Sequence, residues 1–156
     1  MSVSAEFDEF DFKILRALQK NADYSMTELG EIVGLSHTPC WRRVKKLQSA
    51  GVIKGKVVVL DPKQLNLNVT VYAYIRIHNH DEDSLNAFES AVLDVPQILE
   101  CYSTSGEKDY VLRVVVSSVE HYERLLKQTL AHLPNVQSVN SNFALKRVKY
   151  TSSLPI

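Results

Sequence analysis

Residues 25–50 read SMTELGEIVGLSHTPCWRRVKKLQSA, two helix starts separated by a glycine. Ser25-Met-Thr-Glu28 has the S-x-x-E form of a capping box, in which a hydroxyl and a carboxylate satisfy free amides at a helix start. Met26, Leu29, Ile32 and Val33 then fall on the inward side of a short helix. Gly34 supplies the left-handed residue that ends it, and Ser36 is the expected next N-cap, with Pro39 tolerated in the first turn. The following helix runs to about Ala50 and stops at Gly51. Cys40, Val44 and Leu47, four and three apart, define its buried face and turn Arg42, Lys45, Lys46 and Ser49 away from it. Upstream, Phe7, Phe10, Ile14, Leu15 and Leu18 recur at helical spacing and predict a further helix over roughly residues 8–20.

Three short helices with a tight Gly34-Leu-Ser36 turn before the most basic one match a DNA-binding helix-turn-helix, whose last helix offers its N-terminal residues to the major groove. The formal net charge is zero, yet the distribution is uneven. Between Glu6 and Leu35 the acids Glu6, Asp8, Glu9, Asp11, Asp23, Glu28 and Glu31 face only Lys13, Arg16 and Lys20. From Ser36 to Leu60 no acid occurs, while Arg42, Arg43, Lys45, Lys46, Lys54 and Lys56 cluster. Such a patch tracks phosphates even on a neutral chain. The candidate DNA-binding residues are Ser36, His37, Thr38, Trp41, Arg42, Arg43, Lys45 and Lys46. Arg42 is the candidate for a specific contact because a guanidinium pairs with both acceptors of a guanine edge. Lys45 and Lys46 read as phosphate contacts. The plainer alternatives are a solvated basic face, and a Trp41 packed under the domain junction.

Residues 52–53 and 56–60 read as a β-segment, and Asp61-Pro62 breaks it, so a DNA-binding domain is expected over residues 1–60 and a second domain over 61–156. The second half alternates clearly. Residues 69–77 form a β-branched, aromatic run, and residues 84–93 carry Leu85, Phe88, Val92 and Leu93 at helical spacing. Residues 98–103 and 110–116 are strands joined through Gly106-Glu-Lys-Asp109. Ser117-Ser-Val-Glu120 reads as another capping box, opening a helix with Tyr122, Leu125, Leu126 and Leu130 inward, and residues 136–148 close as a strand. The order β-α-β-β-α-β is the ferredoxin-like plan, so the whole chain reads as α+β. Val71, Ala73, Ile75 and Ile77 alternate with Tyr72, Tyr74 and Arg76, so the sheet face away from the helices would present aromatics to a partner.

At 156 residues, with 45% apolar and 23% charged side chains, the chain supplies a core without metals or disulfides. No apolar run approaches the roughly 18 residues of a membrane span, and the first residues are acidic rather than a basic leader, which predicts a soluble, cytoplasmic protein. Cys40 and Cys101 fit no metal-ligand spacing and read as small buried apolar residues. The five histidines lack the company of a nucleophile or metal set, so no enzyme, catalytic residue or cofactor is expected. His78-Asn-His80-Asp-Glu-Asp83 could bind a divalent cation, but a strand-to-helix loop capped by Asp83 or Ser84 explains it more simply.

The run 11–15, the phrase Val33-Gly-Leu-Ser-His-Thr-Pro-Cys40, Arg43-Val44, Leu47 and Gly51-Val-Ile53 resemble the Lrp/AsnC (leucine-responsive, feast/famine) family of bacterial and archaeal regulators. Ser105-Gly106-Glu-Lys-Asp109-Tyr110 resembles the family's glycine and Asp-Tyr signature, and Leu133-Pro134-Asn-Val136 its pre-strand turn. The resemblance spans essentially the whole chain. It implies a winged helix-turn-helix joined by a β-segment to an effector-binding domain. It also implies dimers made through that second domain, commonly a ring of four dimers, and a small amino-acid effector bound between subunits. Carried over by position, the effector residues are Ser103, Gly106, Asp109, Tyr110, Val119, Asn142, Phe143 and Ala144. A glycine turn beside Asp109 supplies amide donors and a carboxylate for a zwitterion, or else only makes the hairpin. Glu107 and Lys108 stand at positions that vary in the family. The tail from Lys149 is similar to a branch of regulators of amino-acid breakdown, cysteine-responsive ones among them. The functional expectation is a sequence-specific transcription regulator of amino-acid metabolism or transport genes, with a stand-alone amino-acid-binding module as the alternative.

Overall fold

Asp8 starts the first helix with a capping box that the sequence pattern did not announce: it accepts from the Asp11 amide at 3.0 Å, and the Asp11 carboxylate accepts from the Asp8 amide at 3.3 Å. In this computed structural model, which describes residues 7–156, α1 is Glu9–Lys20, α2 Met26–Val33 and α3 His37–Ser49. The acidic stretch before Phe7, Glu6 included, lies outside the described residues. Ser25 and Glu28 form the predicted reciprocal cap of α2, and Gly34 ends that helix in the left-handed region at φ 77°. The turn closes when the Leu35 amide reaches back to the Gly30 carbonyl at 2.8 Å. Ser36 is the N-cap of α3, but its hydroxyl makes no capping bond.

Ile14, Leu15, Ala17, Leu29, Val33, Cys40, Val44 and Leu47 make the core of this unit. Burying a Leu or Ile completely contributes about 1.5–3 kcal/mol, more than a typical cap, so the stripe on each helix sets the trihelical packing. Ile32 is a correction: expected inward, it is 54% exposed at the edge of the stripe. Gly51, at φ 71°, stops α3 and lets the amides of Val52 and Ile53 share the Leu47 carbonyl. The β-segment expected beyond it is a further correction. Residues 52–60 enter no ladder, and Val57 and Val58 are 88% and 84% exposed. A strand needs a neighbour for its amides and carbonyls, and none is supplied among the described residues.

The second unit has β1 at Val69–Ile77, α4 at Glu82–Leu93, β2 at Ile98–Ser103, β3 at Tyr110–Val116, α5 at Val119–Gln128 and β4 at Val136–Phe143. Its antiparallel sheet has the order β2-β3-β1-β4, so the first strand is central and the connections are those of the ferredoxin-like plan. The first three strands have the predicted bounds. Val71, Ala73, Ile75 and Ile77 alternate into a core with Leu112, Val114, Val116, Phe88, Val92 and Tyr122. Three expectations are corrected here. Asp81 rather than Asp83 or Ser84 caps α4, Ser118 caps α5 by accepting from the His121 amide rather than through a box at Ser117, and Leu93 is 85% exposed. β4 stops at Phe143, not Val148: its register with β1 ends at the pair Val71 and Phe143, and beyond it the Ala144 amide reaches the Thr70 carbonyl at 2.9 Å.

Two compact units emerge, Met1–Val59 with Lys149–Ile156, and Leu60–Val148. The tail expected with the second domain therefore belongs to the first unit. Gln19 brackets Leu154, accepting from its amide at 2.5 Å and donating to its carbonyl at 3.2 Å, and Arg16 Nε donates to the Ile156 carbonyl at 2.9 Å. Both cysteines are free, Cys40 buried and Cys101 partly so. Among the described residues no helix is long and apolar enough to cross a membrane.

Candidate nucleic-acid interface and effector region

Because Cys40, Val44 and Leu47 face the core, the opposite side of α3 carries His37, Thr38, Trp41, Arg42 and Lys45, all exposed. His37, Trp41 and Lys45 are four apart and form one row, with Thr38 and Arg42 in the row beside it. Trp41 is 47% exposed, and the Lys45 ammonium stands 6.0 Å from its ring centre, so this tryptophan belongs to the exposed face and not to the core. The first-turn amides of His37 and Thr38 have no acceptor within the helix, and the Ser36 hydroxyl does not cap them. The N-terminus of α3 thus offers unspent donors beside cations, the chemistry that takes a phosphate.

Two of the expected DNA contacts are engaged elsewhere. Arg43 Nη1 lies 2.8 Å from Asp11 Oδ1 and 2.7 Å from Asp8 Oδ2, and its guanidinium carbon sits 5.5 Å from the Phe10 ring centre. Lys46 Nζ lies 3.2 Å from Asp11 Oδ2. Arg43 is therefore corrected from a free basic contact to the clasp between α3 and α1. Lys46 is shared, since nearly half of its side chain stays exposed. Burial pushes the Asp11 carboxyl up, but Arg43, the Asp8 amide and Lys46 outweigh it and hold the group below its ordinary value. Sequence reasoning missed Asp11. The signal was a helix-start acid three residues after Asp8, with bases three apart at 43 and 46.

In the second unit the expected effector residues fall into two groups. Ser103, Gly106, Asp109 and Tyr110 lie at or beside the loop joining β2 to β3, next to the C-terminal end of β1. Val119 begins α5 and residues 142–144 end β4, both at the opposite end of the sheet. The Asp109 carboxylate bonds the Ile77 amide, while Ala144 bonds Thr70; seven steps along β1 separate those points, about 23 Å at a strand rise of about 3.3 Å. One chain does not bring the two groups together.

Within the first group, the Ile77 amide lies beyond the last register pair of β1 with β3, Ile75 with Tyr110, and Asp109 Oδ2 accepts it at 2.8 Å. Asp109 Oδ1 lies 2.7 Å from His80 Nε2. His80 first, then the Ile77 amide, depress the carboxyl below its ordinary value. Asp109 is thus not the free carboxylate the sequence implied, and His80, read as loop, is its partner. Tyr110 is also corrected. It is 4% exposed, packs against Phe88 with ring centres 4.6 Å apart, and donates to Glu89 at 2.7 Å, so its side chain belongs to the core. Asn142 and Phe143 point to opposite sheet faces. Phe143 meets Tyr122 edge to face at 5.4 Å, and Tyr122 pairs with Ser141 at 2.6 Å. Gly106 has no positive φ, and a Cβ there would meet nothing within 4 Å, so the hairpin itself does not require glycine. Among the described residues no His, Cys, Asp and Glu group is arranged to hold a metal, and His80 is taken by Asp109.

A trihelical unit with a basic exposed third helix, followed by a ferredoxin-like unit, defines a two-domain DNA-binding regulator. Residues 7–54 match the winged helix-turn-helix DNA-binding family model, and residues 70–154 match that of the Lrp/AsnC ligand binding domain. The chain belongs to the Lrp/AsnC family. It is 36% identical over 149 residues to the DNA-binding transcriptional activator DecR of Escherichia coli strain K12, covering 96% of this chain and 98% of that one. It is 38% identical over 151 residues to the glutamate uptake regulatory protein of Zymomonas mobilis, covering 97% and 92%. Among solved structures, an AsnC family transcriptional regulator from Agrobacterium tumefaciens matches with TM-score 0.91 and 41% identity, over 96% of this chain and 97% of that one. A transcriptional regulator from Neisseria meningitidis in complex with L-Met matches with TM-score 0.90 and 34% identity, over 96% of each chain.

Proposed function

We propose that this chain is a sequence-specific transcription regulator, acting on DNA in the cytoplasm as a homo-oligomer and responding to a small amino acid. The observation that carries the reading is the exposed row at the start of α3, where Arg42 has no partner among the described residues while its neighbour Arg43 is bound within the unit. A major groove about 12 Å wide admits the helix. Arg42 reaches a guanine edge with two parallel donors, Lys45 meets a phosphate, and Ser36 and Thr38 with the first-turn amides hold another. His37 and Trp41 complete the contact surface. The names of the relatives, regulators of glutamate uptake and of proline dehydrogenase among them, support target genes of amino-acid transport and breakdown. The chain works as a regulator and not an enzyme, without a cofactor.

One helix-turn-helix holds one half-site, so a dimer matches a two-fold operator, and four such dimers in a ring are the expected full assembly. The exposed residues 57–60 and the tyrosines on the open sheet face are the surfaces such copies use. The effector lies between copies, because the two groups of effector residues stand at opposite ends of one sheet and a second chain must supply the missing group. The open space at Gly106 admits the ligand, loop amides take its carboxylate, and Asp109, shared with His80, faces its ammonium.

Selection of binding sites from a random duplex pool tests the DNA reading. Arg42→Ala is expected to weaken selected duplexes by about 1–3 kcal/mol and to relax one position; an unchanged preference would remove Arg42 from base recognition. A thermal-shift screen of the amino acids, followed by calorimetry, tests the effector reading. Gly106→Val is expected to fold normally and lose the ligand, and wild-type affinity in that variant would exclude the site.

A further inference from the structure

Asp11 is the one fully buried charged side chain among the described residues, and both of its cationic partners come from the helix assigned to DNA. Arg43 and Lys46 are three apart on one edge of α3, and Asp8 and Asp11 are three apart on the first turn of α1. Oδ1 of Asp11 takes Arg43, Oδ2 takes Lys46, and Asp8 takes the same Arg43 nitrogen. The Phe7 ring centre lies 5.5 Å from the Lys46 ammonium, closing the other side. A buried carboxylate is tolerated only when paired, so the pairing fixes how α3 is turned about its axis against α1. Residues 42 and 45 stand one step before 43 and 46, about 100° round the helix. The four bases of α3 are thereby divided into a held pair and a presented pair.

Building on the DNA reading above, we infer that Asp11, assisted by Asp8, is a positioning residue for specificity: it withholds Arg43 and draws on Lys46, so that α3 meets DNA with Arg42 and Lys45 foremost. Its second effect is to limit sequence-blind attraction. Each phosphate neutralised steepens the salt dependence of binding by about 0.9, and two cations kept on carboxylates are two that do not add to every duplex alike. Lys46, half exposed, is the one able to leave Asp11 for a phosphate, whereas Arg43, held by two acids, stays.

The test uses the full chain and two duplexes of equal length, one selected by the wild-type protein and one from the unselected pool, each titrated across a salt series. Asp11→Asn is expected to bind the unselected duplex at least threefold more tightly, steepen its salt slope by about one, and lower the selected-to-unselected ratio about tenfold. Asp8→Asn, which keeps a good N-cap, is expected to move the same quantities in the same direction by less, and stands in if Asp11→Asn does not fold. Arg43→Met is expected to lower the ratio with no flattening of the slope. Wild-type affinities and slopes in both acid variants would overturn the inference, as would a slope flattened by about one in Arg43→Met, the mark of a direct phosphate contact. A wild-type protein that prefers no duplex would instead overturn the DNA reading itself, and Arg42→Ala, run alongside, separates the two failures.

Discussion

Gly30→Ala should destabilise the first unit, although helix propensity alone predicts the reverse. Gly30 lies inside α2 with an ordinary helical backbone, and replacing such a glycine by alanine gains about 1 kcal/mol in an isolated helix. In the folded chain, a Cβ at this position would stand 2.5 Å from the Leu35 carbonyl oxygen, about half an ångström inside the 3.0 Å limit that real side chains keep. That oxygen is backbone in the turn between α2 and α3, held by the 2.8 Å bond from the Leu35 amide to the Gly30 carbonyl. It cannot swing aside as a side chain would. Opening the turn costs about 1–3 kcal/mol for overpacking and about 1 kcal/mol for the strained hydrogen bond. The net expectation is a loss of roughly 1–3 kcal/mol, which in a domain of this size lowers Tm by about 4–8 °C per kcal/mol. Trp41, the only tryptophan, sits on α3 and reports this unit's unfolding by fluorescence in urea. Binding to the selected duplex should weaken as well, because the turn sets the angle of α3. A Gly30→Ala protein as stable as wild type, or more so, would show that the turn yields freely and that the close approach of the Leu35 carbonyl does not govern the motif.

Removing residues 149–156, or Gln19→Ala alone, should lower the Trp41 transition by about 1 kcal/mol, since the bonds lost are exposed ones; no change in urea midpoint would show that the tail contributes nothing to the first unit. Phe88→Ala removes a fully buried ring that packs at a tilt against Tyr110 and should cost the second unit about 3–5 kcal/mol, read by calorimetric melting. Ser118→Ala should cost about 1 kcal/mol as a lost N-cap of α5, visible in the same melt. Asp109 has a folded pKa below its ordinary 3.8, so its stabilisation is present above that pH and disappears as pH falls through the depressed value. Asp109→Asn should therefore flatten the acid limb of the second unit's stability, and an identical acid limb in the variant would detach the loop's stability from this carboxylate.

Local chemistry within a few residues accounts for most of what was legible from the sequence. The Ser25 to Glu28 cap, the left-handed Gly34 and Gly51, the buried face of α3 and the bounds of the first three strands all rest on a period or a cap that a short window contains. Even there, the edges of a stripe were ambiguous: Ile32 and Leu93 share the helical spacing of buried neighbours, and only packing leaves them outside. The exposed side chains on α3 followed from the same period, but the separation of Arg42 from Arg43 did not. That division depends on α1 bringing Asp8 and Asp11 against one edge of α3, a contact between residues more than thirty positions apart. Likewise, register alone decided that Asp109 bonds the C-terminal end of β1 while residues 142–144 end at the far side of the sheet, so that the expected effector residues fall into two separate groups. A strand specifies which of its faces is apolar, but its length and its neighbours belong to the partner that completes its hydrogen bonds. For that reason β4 ends where its pairing with β1 ends, at Phe143 opposite Val71, and residues 56–60, as β-prone as any in the chain, stay unpaired among the described residues of a single copy.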